Sequence, residues 1–321
     1  MKIELLVLLL TTRCNLRCLY CYLGCQEEGE ELSTDQIKAL LKRLSSAPRE
    51  IVISGGEPTL FPERLAEVIG LLRRHFPRTR LSLQTNGTLL SRPLLSFFRQ
   101  MKVGLGLSLD GPPEINEALR GQTEQVLRGL RLLEEEGLSC GVTVTITRKN
   151  VAFLGQTALF LSLFPAVASF GLDLLRPVGR AKEEDLPLEG ELKQGLEDLN
   201  QSLSFLRGHG SRLRWREAER SPTKDGYCPA ARARSLVLTP KGELYPCASL
   251  VGRQEFLLGQ LDGRWRKISL QGGCGPCQAI CPGRCPSRFL LSPRAGDLDC
   301  LLHQLIYSVS STGRSATTSR L

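Results

Sequence analysis

The sequence predicts an α/β fold, a parallel sheet covered by helices on both sides, followed by a smaller cysteine-rich region. Three observations carry this. Short continuous apolar runs alternate with stretches of helical periodicity from residue 3 to about 206. Glycine-rich or polar turns stand at the ends of those runs. Twelve cysteines fall mostly into two groups, four at positions 14–25 and seven between 228 and 300, with Cys140 alone between them.

Residues 3–10 read as a buried first strand. They are not a signal peptide: Glu4 interrupts the segment, the apolar run Leu5–Leu10 is short, and no small-residue cleavage site follows. No other run approaches the roughly 20 apolar residues that cross a bilayer. The chain is therefore read as cytoplasmic, where thiols stay reduced and clustered cysteines imply metal rather than disulfide.

Ser33-Thr34-Asp35-Gln36 is a capping box, and Ile37, Leu40, Leu41 and Leu44 behind it share one helical face. Ile51–Ile53 is a short strand running into Ser54-Gly55-Gly56, and Pro62 opens a helix that buries Leu65, Val68, Ile69 and Leu72. Leu81–Gln84 is a strand ending at Asn86-Gly87, and 90–98 a helix. Val103–Leu109 is a strand ending at Asp110-Gly111-Pro112. Val126, Leu130 and Leu133 mark a helix that stops at Gly137. Strands at 142–147 and 170–175 and helices at 151–163 and 192–206 complete six strand–helix units. Such continuous apolar strands belong to a parallel sheet, closed as a barrel or open and doubly wound.

Either arrangement places ligands at the carboxyl ends of the strands. Those ends carry Cys14, Gly55-Gly56-Glu57-Pro58, Gln84-Thr85-Asn86-Gly87 and Ser108-Leu109-Asp110-Gly111. Each alone reads as a turn; four on one rim beside a cysteine cluster read as a site.

Composition sets the wider bounds. Hydrophobic residues make up 41% and charged residues 23% of the 321, as in ordinary globular proteins. The net charge of +9 points to an acidic partner.

Cys14-x3-Cys18-x2-Cys21 offers three thiolates directly after the first strand. A structural zinc closes four ligands and an electron-transfer cluster uses four thiolates, whereas three leave one iron open. Cys25 is read as idle. With Tyr20 before the last cysteine and Gly-Gly-Glu-Pro at 55–58, the sequence resembles the radical S-adenosylmethionine (SAM) superfamily. The resemblance runs from residue 3 to about 206 and implies a partial (β/α)6 TIM-like barrel. It also implies a catalytic [4Fe-4S] cluster on Cys14, Cys18 and Cys21, with SAM chelating the open iron. Gly55, Gly56 and Glu57 would then hold the SAM amino group, Ser108 the ribose end and Arg120 the carboxylate. As an alternative, Arg120 is a solvated charge early in a helix.

The second group reads Cys228-x13-Gly242-x4-Cys247, then Cys274-x2-Cys277-x3-Cys281-x3-Cys285-Pro286, then Cys300. Leu236–Leu238 and Leu244-Tyr245 flank Pro240-Lys241-Gly242-Glu243, a hairpin that brings Cys228 near Cys247. The run 274–286 approaches the ferredoxin pattern. The group resembles the SPASM extension of radical SAM peptide maturases, except that three residues instead of five separate Cys277 from Cys281. That resemblance implies two auxiliary [4Fe-4S] clusters, one on Cys228, Cys247 and Cys285 and the other on Cys274, Cys277, Cys281 and Cys300. Zinc is the alternative, but seven thiolates fill one closed site and leave three over. Cys140 reads as a core thiol, and His75, His209 and His303 form no ligand motif.

The organisation expected is a barrel over 1–206, a basic linker over 207–227, a small cysteine-rich iron–sulfur domain over 228–305 and a disordered tail over 306–321. With a barrel strand beginning by residue 3, no N-terminal leader-binding domain is expected. Resemblance implies a peptide or protein substrate and a low-potential donor such as ferredoxin or flavodoxin. Ala248 stands where sulfatase maturases carry an acidic base, which argues against formylglycine formation. The linker, with Arg207, Arg212, Arg214, Arg216, Arg220 and Lys224, could meet an acidic peptide. No aromatic besides Trp215 interleaves those cations, which argues against nucleic acid. A radical SAM enzyme acting on a small molecule or tetrapyrrole side chain, and an electron-transfer protein without SAM turnover, are the competing readings. Gly-Gly-Glu-Pro disfavours the last.

Overall fold

The computed structural model describes residues 2–24, 28–219, 228–270 and 285–314. Seven strands run parallel in sequence order: β1 (Leu5–Leu9), β2 (Glu50–Ser54), β3 (Arg80–Thr85), β4 (Val103–Ser108), β5 (Cys140–Ile146), β6 (Val167–Leu174) and β7 (Arg214–Trp215). The helices between them are α1 (Thr34–Arg43), α2 (Pro62–His75), α3 (Arg92–Gln100), α4 (Pro113–Leu119), α5 (Thr123–Glu135), α6 (Leu154–Leu161) and α7 (Glu189–Gly208). All six expected strands form, in an open, partial TIM-like barrel.

Local chemistry explains the helix starts. Ser33 Oγ accepts from Gln36 N–H at 3.1 Å and Gln36 Oε1 accepts from Ser33 N–H at 2.8 Å, closing the capping box. α2 and α3 both carry proline in the first turn, where the missing N–H costs nothing. The helix expected before Gly137 is α5, and a further helix, α4, precedes it, the two separated by Gly121 and Gln122, both at positive φ.

The C-terminal segment differs from expectation. Its hairpin, β8 (Ser235–Leu238) and β9 (Glu243–Tyr245), joins the barrel sheet: β8 lies parallel to β1 and β10 (Gly259–Gln260) pairs with β9. The full order is β10-β9-β8-β1-β2-β3-β4-β5-β6-β7. Every residue of β8 is buried, as a strand covered on both faces requires. Glu4 anchors the junction through Arg232 at 3.0 Å and Arg234 at 2.6 Å. α8 (Pro286–Leu291) and α9 (Pro293–Arg314) follow, and Leu298, Leu302 and Ile306 of α9 enter the same core as the barrel leucines. The tail expected to be disordered from 306 thus continues α9 to Arg314, with Ile306 and Tyr307 buried. Within the stretch read as a basic linker, Arg214–Trp215 form the seventh parallel strand, and Trp215 stacks on Phe170. No described helix is long and apolar enough to cross a membrane.

Candidate active site

The chain leaving β1 is laced to the end of β2 by backbone bonds, Gly56 N–H to Thr11 O at 2.7 Å and Glu57 N–H to Arg13 O at 2.8 Å. The approach is so close that a Cβ on Gly56 would stand 1.9 Å from Arg13 O, and one on Gly55 would stand 2.4 Å from Thr11 O. Gly55 also sits at φ +135°. Two glycines are therefore what lets the cysteine loop lie against the strand end. On the other side, the loop after β6 clamps the same segment through Arg180 N–H to Cys21 O at 3.0 Å.

A cavity of about 240 Å³ opens at this rim, at the carboxyl ends of the strands. Cys14, Cys18 and Cys21 line it together with Tyr20, Gly55, Gly56, Ser108 and Arg120. Burial pushes the Cys14 thiol up to about 11 and raises Cys18 as well. Metal binding therefore has to displace these protons, a cost that couples affinity to pH.

Glu57, expected at the SAM amino group, makes its hydrogen bonds within the protein. It is fully buried, and its carboxylate accepts from Thr59 N–H (3.0 Å), Thr59 Oγ1 (2.6 Å), Thr85 Oγ1 (2.7 Å) and Asn86 N–H (2.6 Å). The bonds from Thr59 close the turn after β2 and those from Thr85 and Asn86 tie it to the end of β3, and the Glu57 side chain does not line the cavity. Gly55 and Gly56 do.

Arg120 is no solvated charge. It caps the carboxyl end of α4 with a side chain only 9% exposed. Its Nη1 donates to Tyr20 Oη at 2.5 Å and lies 3.4 Å from Asp110 Oδ2. The Tyr20 hydroxyl in turn donates to Asp110. Asp110, fully buried, also accepts from Thr145 N–H at 2.7 Å. Burial pushes its carboxyl up, against the pull of Arg120 and the Tyr20 bond. The Arg120 Nε is buried with no partner among the described residues, on a residue that lines the cavity. Three thiols, two half-buried glycine peptides in the cavity wall and a buried cation with a spare donor form a set that fits a three-thiolate cluster and the amino-acid end of SAM.

A second cavity, about 330 Å³, lies beyond β6 and shares Thr143, Asp173 and Arg176 with the first. Cys228, Cys247 and Cys285 all line it, with Arg216, Arg288, Asp299 and His303. Burial pushes Cys228 up to about 11. Burial acts upward on Cys285 too, but Arg176 and Arg288 outweigh it and hold that thiol below its ordinary value. The donor chemistry fits a thiolate-held cluster. Among the described residues no three Cys, His, Asp or Glu converge closely enough for one metal ion; a four-iron cluster gives each thiolate its own iron. Cys300 is described, whereas Cys25, Cys274, Cys277 and Cys281 lie outside the described residues. Cys140 is a core thiol, 3% exposed, pushed by burial to about 12.

Sequence reasoning missed the charged network between the cavities. Asp173 binds Arg176 at 2.8 Å and pairs with Arg288, which reaches Asp299 at 2.6 Å. Asp299 accepts from Cys285 N–H at 2.6 Å. Its only sequence signal was the position of Asp173 at the end of a strand. Arg216, read as a linker charge, bonds Val142 O at 3.1 Å and Thr143 Oγ1 at 3.2 Å. His303, which forms no motif, lies 4.0 Å from Asp299.

The Radical SAM superfamily model matches residues 8–158, from β1 into α6. The chain is 35% identical to Fe-coproporphyrin III synthase of Methanosarcina barkeri over 191 residues, 56% of this chain and 47% of that protein. It is 29% identical to mycofactocin maturase MftC of Mycobacterium tuberculosis over 310 residues, 86% of this chain and 76% of the relative. Among solved structures, native anSMEcpe with bound AdoMet superposes with a TM-score of 0.79 at 19% identity, covering 99% of each chain, which shows a common fold. The same protein with AdoMet and the Cp18Cys peptide gives 0.66 at 21% identity, over 81% of this chain and 78% of the other. The matched residues are those that set Cys14, Cys18 and Cys21 against Gly55 and Gly56 at the strand ends, and residues 8–158 form the radical SAM domain of an enzyme.

Proposed function

We propose that this chain abstracts a hydrogen atom from a peptide or protein substrate, with a catalytic cluster on Cys14, Cys18 and Cys21 and an auxiliary one on Cys228, Cys247 and Cys285. The observation that carries the reading is the convergence of the first three thiols on one strand-end cavity with Gly55, Gly56, Ser108 and Arg120. SAM bound to such a cluster supplies, on one-electron reduction, a 5′-deoxyadenosyl radical. The chain's own residues bind and orient. Arg120 offers a cation and a spare N–H toward the SAM carboxylate, Gly55 and Gly56 offer peptide edges for the amino group, and Ser108 faces the ribose end. The buried leucines behind the rim keep water from the reacting centre.

A peptide substrate is favoured because the alignment with a maturase spans both barrel and C-terminal segment, and because the fold matches an enzyme captured with a peptide. A tetrapyrrole side chain is the second reading, supported by the higher identity to Fe-coproporphyrin III synthase over a shorter stretch. The test is anaerobic reconstitution with iron and sulfide, then dithionite and SAM, with 5′-deoxyadenosine assayed in wild type and Cys14/Cys18/Cys21→Ala. Release that vanishes in the variant supports the chemistry, and no release from cluster-loaded wild type sinks it. Stimulation by a peptide encoded beside the gene, rather than by Fe-coproporphyrin III, decides the substrate class.

A further inference from the structure

Of the three residues that line both cavities, Arg176 is the one whose side chain also meets a thiol of the second. Arg176 leaves the end of β6 and lines the first cavity alongside Cys14, Cys18 and Cys21. It also lines the second, where its Nη2 lies 3.8 Å from Cys285 Sγ and its Nε donates to Ser287 Oγ at 3.3 Å. Ser287 Oγ is itself 3.1 Å from Cys285 Sγ. Nη1 is held by Asp173 at 2.8 Å, and Asp173 is shared with Arg288. The guanidinium is thus fixed on three sides, with only 19% of the side chain exposed.

A fixed cation that hydrogen-bonds a cluster thiolate stabilises the more negative, reduced state, because it offsets charge in a medium of low dielectric. Hydrogen bonds to sulfur and local net charge are the levers that set such potentials. Resting on the reading of Cys228, Cys247 and Cys285 as cluster ligands, we propose that Arg176 is a positioning residue that raises the reduction potential of the auxiliary cluster on the side facing the SAM cavity. The cluster would then accept an electron more readily from a substrate radical formed across the shared wall. Ser287 supports the same thiolate and the same guanidinium.

The experiment is an EPR-monitored redox titration of reconstituted protein in a Cys14/Cys18/Cys21→Ala background, with Arg176→Gln, Arg176→Lys and Ser287→Ala added singly. The signal belonging to Cys285 is identified by its loss in Cys228→Ala. The expected result is a midpoint lower in Arg176→Gln than in the background, close to the background in Arg176→Lys, and lowered less in Ser287→Ala. Unchanged midpoints in Arg176→Gln and Ser287→Ala at full iron content overturn the proposal. If Arg176→Gln fails to load iron, Ser287→Ala decides alone. A background protein that binds no iron at Cys228, Cys247 and Cys285 overturns the cluster reading instead, and the two failures are told apart by the iron count.

Discussion

Arg120 Nη1 lies 2.5 Å from the Tyr20 hydroxyl, and both side chains meet at the fully buried carboxylate of Asp110. The contact spans a hundred residues of sequence and joins the cysteine loop to the ends of β4 and α4. Removing the cation strands a buried charge, which typically costs about 3–5 kcal/mol. Asp110 can escape part of that cost by taking up a proton, since burial already pushes its carboxyl up. Arg120→Met in cluster-free protein is therefore expected to be destabilised more at pH 8 than at pH 6, with Asp110→Asn restoring part of the loss. Urea unfolding at the two pH values checks this; equal, small losses would show that the pair carries little.

Glu57 accepts four hydrogen bonds and offers none. Glu57→Gln puts an NH₂ group against at least one N–H or O–H, and a buried mismatch of this kind costs about 1–3 kcal/mol. The same change leaves Gly55 and Gly56 in the cavity wall. Expected is a lower unfolding midpoint with iron still taken up by Cys14, Cys18 and Cys21. Wild-type stability with lost SAM affinity would instead assign the carboxylate to the ligand.

Asp173 supplies a pH dependence. Burial raises its carboxyl, but Arg176 and Arg288 outweigh this and hold it well below the ordinary carboxylate range. An unfolded aspartate titrates near 3.9. Above that pH the ion pairs contribute in full. As pH falls below about 4 the unfolded chain takes up a proton that the folded chain refuses, and the contribution is lost. Denaturant midpoints of cluster-free protein between pH 6 and 3 should fall more steeply in wild type than in Asp173→Asn. Parallel curves would mean that the arginines do not hold this carboxylate.

Much of the frame was legible in the sequence because strand–helix alternation and a capping box are local signals. Ser33 and Gln36 pair as written, and Cys14, Cys18 and Cys21 reach one cavity with the glycine pair. What escaped was non-local. Nothing near β8 indicates that its partner would be β1, more than two hundred residues earlier, although its unbroken apolar run suits a strand covered on both faces. Glu57 carries no mark telling a ligand-binding carboxylate from one that ties two strands. The Asp173–Arg288–Asp299 network joins residues on three elements, so no spacing rule could reveal it.

Arg216 gives the last prediction, because two glycines make room for it. A Cβ on Gly171 of β6 would stand 2.4 Å from its Nη2, and one on Gly141 of β5 would stand 2.8 Å from its Nη1. The guanidinium therefore lies flat against the sheet and reaches Val142 O and Thr143 Oγ1. Gly171→Ala forces it out, and overpacking of this kind typically costs about 1–3 kcal/mol. Arg216→Ala removes the group that the new methyl would strike. If the glycine exists to seat the arginine, the two substitutions are not additive, and Gly171→Ala should cost far less in the Arg216→Ala background. A four-member cycle of urea unfolding measures the coupling. Simple additivity would mean that Gly171 serves the strand itself, and that the match between the slot and the guanidinium has no energetic weight.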